Sequence, residues 1–290
     1  MTPIQQILLV GGTHGNELTG VRMVEQWHQL SNSIALDEIS ITPLIANLTA
    51  VKNRVRFVEE DLNRQFSEVA LTSEPSTLEA KLAHQLNRKY GQTSNNPFDL
   101  VIDVHNTTSN MGATLILIER NEFNVQLARY VYNAMPECNI LLEDDQSYAK
   151  HPYLCSIGKY GVMIEMGAQP QGVCRADVFA GSMQLLNCIA EFCTLWNQQK
   201  LTENESATAY QFIENIGFPL DQDNQVSAMV HPDVQDADFV AIENGCPIFE
   251  YFTGEVSYLQ SDETIYPHFI NEAAYQGTNV AFATARKIKL

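Results

Sequence analysis

The stretch ILLVGGTHGNELTGVRMVEQWHQL, residues 7–30, decides how this chain folds. Its first four residues form an apolar β-type run, and residues 18–30 carry apolar side chains at helical spacing. Gly11 and Gly12 lie between the two, where glycine allows a sharp turn of the backbone. The pattern predicts a buried strand that passes through a tight turn into a helix.

The same alternation continues over the first two thirds of the chain. Further strands are predicted at 39–47, 98–104, 113–118 and 161–166, and helices at 76–90, 121–135 and 176–196. The helix at 76–90 is expected to begin with a capping box formed by Ser76 and Glu79. Strands that alternate with helices indicate an α/β fold with a mixed central sheet flanked by helices.

The composition becomes polar at 197–208, and shorter β-type runs broken by Pro and Gly follow. We therefore predict a larger α/β domain over residues 1–200 and a smaller C-terminal β-rich domain over residues 201–290.

The overall charge limits the partners of the protein. The chain has 290 residues, with 17 Lys and Arg against 35 Asp and Glu, a net charge of -18. Such a protein repels phosphate backbones, so we expect no nucleic-acid partner. Six cysteines without a CxxC pair, and no basic leader, favour a reduced cytoplasmic location. No run reaches the roughly 20 apolar residues of a membrane span, so we expect no membrane partner.

Metal-binding side chains follow two of the predicted strands. His14 and Glu17 come after the first strand, and their spacing places both on one face of a turn. His105 follows the strand at 98–104. Because ligands gather at the carboxyl ends of strands in α/β sheets, we expect these three side chains to meet. Two histidines and one carboxylate with an open fourth position form a catalytic zinc site.

Two other interpretations stay open on these residues alone. His-x-x-Glu also occurs on ordinary helix surfaces, and a histidine after a strand is often structural. The segment GGTHG could instead form a phosphate-binding loop, but it lacks the Walker lysine and does not match GxGxxG. Asp103, two residues before His105, could orient that ligand instead of binding the metal.

Several motifs occur together along nearly the whole chain. They are GGTHGNELTG (11–20), DLNR (61–64), DVHNTTSNMG (103–112), IEMG (164–167), QPQGVCRAD (169–177) and NEAAY (271–275). In identity and order they resemble the motifs of the aspartoacylase/succinylglutamate desuccinylase family. The resemblance implies a zinc-carboxypeptidase-like catalytic domain followed by a C-terminal β domain.

The resemblance also implies a reaction and a set of roles. The reaction is hydrolysis of the amide of an N-acyl amino acid, with one zinc per subunit held by His14, Glu17 and His105. Glu165 matches the catalytic glutamate that takes a proton from water and gives it to the leaving nitrogen. Arg56 matches the arginine that stabilises the oxyanion.

The same comparison implies how the substrate is held. Asn63 and Arg64 match residues that bind the substrate carboxylate, for which the planar guanidinium is suited. Tyr275 matches a tyrosine that reaches the substrate. The resulting prediction is an aspartoacylase-type enzyme that cleaves N-acetyl-aspartate to acetate and aspartate, with the small N-acyl amino acid as its partner and a possible homodimer as its assembly.

One position departs from the family pattern. Cys155 stands where the family has an arginine that contacts the side-chain carboxylate of an aspartyl substrate, and a thiol carries no fixed positive charge. Either Lys159, Lys150 or His151 supplies that charge, or the pocket takes a neutral side chain. The second case gives a deacylase of neutral or aromatic N-acyl amino acids as an alternative function. Two further alternatives do not depend on Cys155: a zinc carboxypeptidase or other small-molecule deacylase, and an inactive metal-binding protein.

Overall fold

The computed structural model describes residues 2–30, 38–201, 206–275 and 277–290. Its strands are β1 (Gln6–Gly11), β2 (Ser40–Ile45), β3 (Leu100–Asn106), β4 (Gly112–Leu117), β5 (Asn139–Leu142), β6 (Tyr160–Gly167), β7 (Thr208–Gly217), β8 (Ala228–Val230), β9 (Pro247–Tyr251), β10 (Val256–Tyr258), β11 (Tyr266–His268) and β12 (Val280–Lys289). Its α-helices are α1 (Leu18–Glu25), α2 (Trp27–Leu30), α3 (Leu48–Asn53), α4 (Glu68–Thr72), α5 (Leu78–Tyr90), α6 (Glu122–Ala134) and α7 (Ala176–Asn197). Short 3₁₀ helices span Leu62–Arg64, Tyr148–Lys150, Leu154–Ile157 and Ala273–Tyr275.

A nine-stranded sheet organises the molecule, in the order β11-β12-β7-β5-β4-β6-β3-β1-β2. Strands β2, β1, β3 and β6 are parallel, whereas β4 is antiparallel to β6. A second sheet has the order β10-β9-β8. The predicted mixed central sheet with flanking helices and a β-rich C-terminal part is confirmed.

Strand β1 shows why both faces of the large sheet are covered. Its side chains alternate, so Ile7 and Leu9 join one apolar cluster and Leu8 and Val10 join another. The first cluster includes buried residues of α1, α6 and α7, and the second includes residues of α5. All four strand side chains are inaccessible to solvent, as expected for a strand between two layers.

The turn after β1 requires glycine at two places. Gly12 has a φ of 68°, which an L side chain rarely adopts. A Cβ atom at Gly11 would lie 2.2 Å from the carbonyl carbon of Gly20 in α1. The helix therefore packs directly against the strand end, and this close approach fixes the turn that carries the predicted metal ligands.

The predicted elements of the first two thirds are all present, with ends shifted by one or two residues. The helix expected at 18–30 is divided, because α1 ends at Glu25 and α2 begins at Trp27. The strand expected at 39–47 ends at Ile45, since Asn47 turns the chain by capping α3 and accepts a hydrogen bond from the backbone of Ala50.

Strands rather than long helices follow residue 200 in the described part of the chain. Strand β7 continues the large sheet by pairing with β5, with Leu141 opposite Tyr210. The division into domains at residue 200 therefore stays a prediction.

Helix α7 is long and apolar enough to cross a membrane by length and composition alone. Half of its most apolar window is buried inside the protein. Its buried side chains, among them Leu185, Ile189 and Phe192, belong to the main apolar cluster beside the sheet.

The predicted capping box at 76–90 is wrong. Thr77 is the N-cap, and its hydroxyl accepts from the backbone of Ala80 at 3.2 Å. Glu79 then stands one position too early to reach back to the cap. Its buried carboxylate instead accepts hydrogen bonds from the backbone N–H groups of residues 58, 59 and 60 and from the Asn47 side chain. Glu79 thus anchors the loop that leads to DLNR.

We predict that Glu79→Gln destabilises the protein by about 2–4 kcal/mol at pH 7, because the amide NH₂ would face N–H donors that lose their acceptor. Burial alone would raise the pKa of Glu79, but the backbone donors hold it below the ordinary value of 4.5. Its contribution is therefore complete above pH 4.5 and is lost as the pH falls through the folded pKa. Urea unfolding of the wild type and of Glu79→Gln, at pH 7 and at low pH, measures the difference in the free energy of unfolding.

The exposed Glu243→Gln is the matched control and should not change the free energy of unfolding at either pH. If the loss of unfolding free energy in Glu79→Gln stays constant as the pH is lowered, the Glu79 carboxylate does not anchor the loop in the way described.

Candidate active site

The candidate site lies where β1, β3 and β6 end. His14 is in the turn after β1, Glu17 occupies the N-cap position of α1, and His105 is in β3. The register of the parallel strands β3 and β6 places His105 directly beside Glu165. Glu17 makes no capping hydrogen bond, so its carboxylate is free to face the two histidines.

The three predicted metal ligands come together in the structure. One carboxylate oxygen of Glu17, Oε1, lies 2.7 Å from Nδ1 of His14, and the other, Oε2, lies 2.8 Å from Nδ1 of His105. All three side chains are almost completely buried, and their ligand atoms lie within 4.8 Å of one another. The group could therefore hold a metal ion.

A carboxylate lies close to the remote nitrogen of each histidine. Nε2 of His14 lies 2.9 Å from Asp61, and Nε2 of His105 lies 2.9 Å from Asp103. The hydroxyl of Thr13 donates to the other oxygen of Asp103 at 2.8 Å. Such carboxylates orient histidine ligands in metal proteins, and here both leave Nδ1 turned toward Glu17.

Unsatisfied atoms also fit a metal at this position. Nδ1 of His14 is buried and makes no directed hydrogen bond in the described part of the chain, although Glu17 is close. Buried polar atoms are normally paired, so an unpaired nitrogen beside a carboxylate and a second imidazole fits the role of a metal ligand. Nitrogen and oxygen donors of this kind suit zinc.

Arg56 brings a positive charge next to this group. Its Nη1 donates to Glu17 at 2.9 Å, and its Nε and Nη2 donate to Asp61 at 3.2 and 3.0 Å. Burial would raise the pKa of Asp61, but His14 and Arg56 hold it well below its usual range. Asp61 is therefore a carboxylate that fixes both Arg56 and His14, a role that the sequence analysis did not assign.

Glu165 has the environment of a proton carrier. It is 8% exposed, and its Oε1 has no hydrogen-bond partner among the described residues. Burial raises the pKa of Glu165 well above its usual value, and Glu17 and Glu272 add to the shift while His105 opposes it. A carboxyl group with a raised pKa can exchange protons near neutral pH.

One cavity contains all the site residues that the sequence predicts. They are His14, Glu17, Arg56, Asn63, Arg64, His105, Glu165 and Tyr275. The remaining wall is partly apolar, with Ile116, Met163 and Phe269 among its residues. A cavity with apolar walls and a few converging polar groups is typical of a small-molecule site.

Asn63 and Arg64 line the same cavity, with Asn63 next to His105. The Asn63 side-chain oxygen accepts from the backbone of Leu154 at 2.7 Å, which leaves its NH₂ group toward His105 at 3.5 Å. Arg64 donates to the Asn63 carbonyl at 2.9 Å, and its guanidinium lies 5.5 Å from the centre of the Tyr153 ring.

Glu272 joins the C-terminal part of the chain to the site. This buried glutamate accepts from the backbone of Thr108 at 2.7 Å and of Ser109 at 3.2 Å, and also from the hydroxyls of Thr107 and Thr108. The contact fixes the segment that carries Tyr275 over the loop after β3. Glu272 lies within the motif NEAAY, of which only Tyr275 was expected to have a role in the site.

The position that departs from the family pattern does not face the cavity. Cys155 is completely buried in the apolar cluster that includes α5. Lys150, His151 and Lys159 are not part of the cavity wall either, and the Lys159 ammonium lies over the ring of Tyr160. Arg56 and Arg64 are therefore the Lys and Arg residues that line the cavity in the described part of the chain.

Comparison with protein-family models matches both parts of the chain. Residues 3–192 match the succinylglutamate desuccinylase/aspartoacylase catalytic domain, and residues 205–287 match the AstE/AspA barrel-sandwich hybrid domain.

Relatives are similar over almost the whole length. A protein of Xenopus tropicalis named N-acyl-aromatic-L-amino acid amidohydrolase (carboxylate-forming) is 38% identical over 291 residues, which cover 98% of this chain and 93% of that protein. Aspartoacylase of Mus musculus is 37% identical over 295 residues, with coverages of 99% and 94%. The crystal structure of murine aminoacylase 3 matches with a TM-score of 0.91 at 34% identity, covering 100% of this chain and 97% of that one. The chain therefore belongs to the succinylglutamate desuccinylase/aspartoacylase family.

Proposed function

We propose that this protein is a zinc-dependent amidohydrolase that cleaves the amide of an N-acyl amino acid into a carboxylate and the free amino acid. The observation that carries the proposal is the buried group His14, Glu17 and His105 with Glu165 beside it in one cavity. It is supported by the relatives named N-acyl-aromatic-L-amino acid amidohydrolase and by those named aspartoacylase.

The metal proposed is one zinc ion per chain, held by His14, Glu17 and His105, with Asp61 and Asp103 orienting the histidines. Zinc held there supplies Lewis acidity, which lowers the pKa of water toward neutrality and polarises the amide carbonyl. The buried setting strengthens this effect because little solvent screens the charges.

Glu165 is proposed to move the proton. Its buried carboxylate takes a proton from the attacking water and passes the proton to the leaving nitrogen. Arg56 is proposed to stabilise the negative charge that develops on the amide oxygen, since its guanidinium is already held in place by Glu17 and Asp61.

The substrate carboxylate is proposed to bind opposite the metal. Arg64 offers a guanidinium on the cavity wall, and the NH₂ group of Asn63 and the hydroxyl of Tyr275 complete that wall. An arginine suits this purpose because it meets a carboxylate through two parallel hydrogen bonds.

Two substrates are candidates for the side-chain pocket. N-acyl-aspartate is supported by the aspartoacylase relatives. N-acyl aromatic amino acids are supported by the relatives named N-acyl-aromatic-L-amino acid amidohydrolase. They are also supported by the cavity wall, where Arg56 and Arg64 are the only Lys or Arg side chains among the described residues. A second carboxylate on the substrate would compete for these two arginines.

We further propose the domain division at residue 200, with the catalytic domain over 1–200 and the β-rich domain over 201–290, because the two family matches fall on either side of it. A cytoplasmic location, a homodimer and the lack of nucleic-acid and membrane partners stay predictions from the sequence.

We predict that Asp103→Asn weakens Zn²⁺ binding by about 10–100-fold, because Asn is a poorer acceptor for the imidazole N–H and leaves His105 less basic and less fixed. Competition with a chromophoric chelator measures the affinity. The exposed Asp262→Asn is the matched control. Equal zinc affinity of the Asp103 variant and the control would refute the orienting role.

We predict that Glu165→Gln keeps one zinc per chain but lowers kcat by about 10²–10⁴-fold, because Gln cannot carry the proton. Elemental analysis and turnover of N-acetyl-aspartate and N-acetyl-phenylalanine, followed through the released amino acid, measure both effects. The exposed Glu255→Gln should match the wild type.

Unchanged turnover in Glu165→Gln would remove the proton-transfer role. Failure of the zinc-loaded wild type to hydrolyse any N-acyl amino acid in a broad panel would remove the proposed function.

A further inference from the structure

A second cavity of about 360 Å³ borders the active-site cavity. The two share the side chains of Arg64, Glu143, Tyr153, Phe269 and Tyr275. These residues therefore form the boundary that a substrate would meet if it extends away from the metal ligands.

Glu143 is the one carboxyl group in this boundary. It directly follows β5, and its backbone N–H donates to the carbonyl of Leu117 at 2.8 Å, which fixes its position. Its side chain lies beside Tyr153 in the lining of both cavities, and Tyr153 acts to lower the pKa of the Glu143 carboxyl. It belongs neither to the metal group nor to the proposed proton transfer, so the reaction leaves its carboxyl without a role.

The electrostatic setting of Glu143 suits an uncharged ligand group. Burial raises the pKa of Glu143, whereas Tyr153 and Arg64 act in the opposite direction. Arg64 is the only Lys or Arg among the described residues that lines both cavities. Once Arg64 binds the α-carboxylate of the substrate, a second substrate carboxylate near the boundary would face Glu143 without a cation.

The other walls of the boundary are aromatic. Tyr153, Phe269 and Tyr275 offer ring surfaces, and the rings of Phe269 and Tyr275 are 5.7 Å apart. Flat apolar side chains pack well against such walls. A carboxyl oxygen among them provides an acceptor for a polar group at the far end of an aromatic side chain.

We infer that Glu143 is a specificity-determining residue that accepts a hydrogen bond from a phenol or indole group of the substrate side chain and disfavours acidic side chains. The inference rests on the proposed hydrolysis of N-acyl amino acids. If Glu143 has this role, the enzyme distinguishes N-acyl tyrosine from N-acyl phenylalanine by the phenol hydroxyl, which donates a hydrogen bond. It also distinguishes N-acyl asparagine from N-acyl aspartate by the negative charge of the aspartate side chain.

The test compares kcat/KM for N-acetyl derivatives of Tyr, Phe, Asn and Asp. For the wild type we expect Tyr to exceed Phe, and Asn to exceed Asp, each by about tenfold. Glu143→Gln removes the charge but keeps a carbonyl acceptor, so the Asn preference over Asp should fall by about tenfold while Tyr stays ahead of Phe. Glu143→Leu removes both, so both preferences should disappear.

Asp144→Asn is the matched control, because it removes one negative charge next to Glu143 but lines neither cavity and should leave both preferences unchanged. Thermal unfolding checks that each variant folds, and the wild-type ratios test the inference without any variant. Wild-type ratios near one, or ratios that neither Glu143 variant alters, would overturn the inference while the hydrolysis itself stands. Absence of hydrolysis in the wild type would instead refute the proposed function.

Discussion

The Glu17 carboxylate, shared between Nδ1 of His14 and Nδ1 of His105, is the interaction on which the site depends. Buried charges are costly unless they are paired, and removal of one partner leaves an uncompensated charge. Asp61 and Asp103 extend the pairing to the far side of each ring, so every imidazole lies between two carboxylates. Together with Glu17, the two imidazoles form a group that could hold a metal ion.

The backbone makes this arrangement possible. The close contact between Gly11 and Gly20 brings α1 against the end of β1, and the register of β3 with β6 sets His105 beside Glu165. His105 and Glu165 therefore meet on two paired strands, and Glu17 reaches them from the start of a helix. Precise placement of this kind favours reaction over simple binding, because geometry controls proton transfer and charge stabilisation.

Charge acts on an anionic substrate both at a distance and inside the cavity. The whole chain carries a net charge of -18, which repels an anionic substrate at a distance. Inside the cavity, Arg56 and Arg64 are positive side chains that an anion could meet, although Arg56 is already paired with Glu17 and Asp61. Arg64 is therefore the guanidinium left for a substrate carboxylate. The substrate side chain therefore decides whether the cavity must provide a second positive partner.

The sequence predicted the parts of the site that lie at strand ends or within motifs. His14, Glu17 and His105 follow predicted strands, so sheet topology alone brings them together. Local patterns could not reveal contacts that join distant segments, such as Glu272 with the loop after β3 or Glu143 with Tyr153.

Two particular predictions show that local sequence patterns do not determine tertiary contacts. Cys155 departs from the family motif, yet the fold buries it in an apolar cluster, and it is not one of the residues that line the cavity. The expected capping box failed because Glu79 is held by a loop some twenty positions earlier in the chain, an interaction that tertiary packing decides.

Anomalous diffraction at the zinc edge from zinc-loaded crystals tests the central claim most directly. The account predicts one strong peak per chain, within about 2.0–2.2 Å of Nδ1 of His14, a carboxylate oxygen of Glu17 and Nδ1 of His105. A peak bound elsewhere, or no peak between these three side chains in crystals that contain stoichiometric zinc, would contradict it.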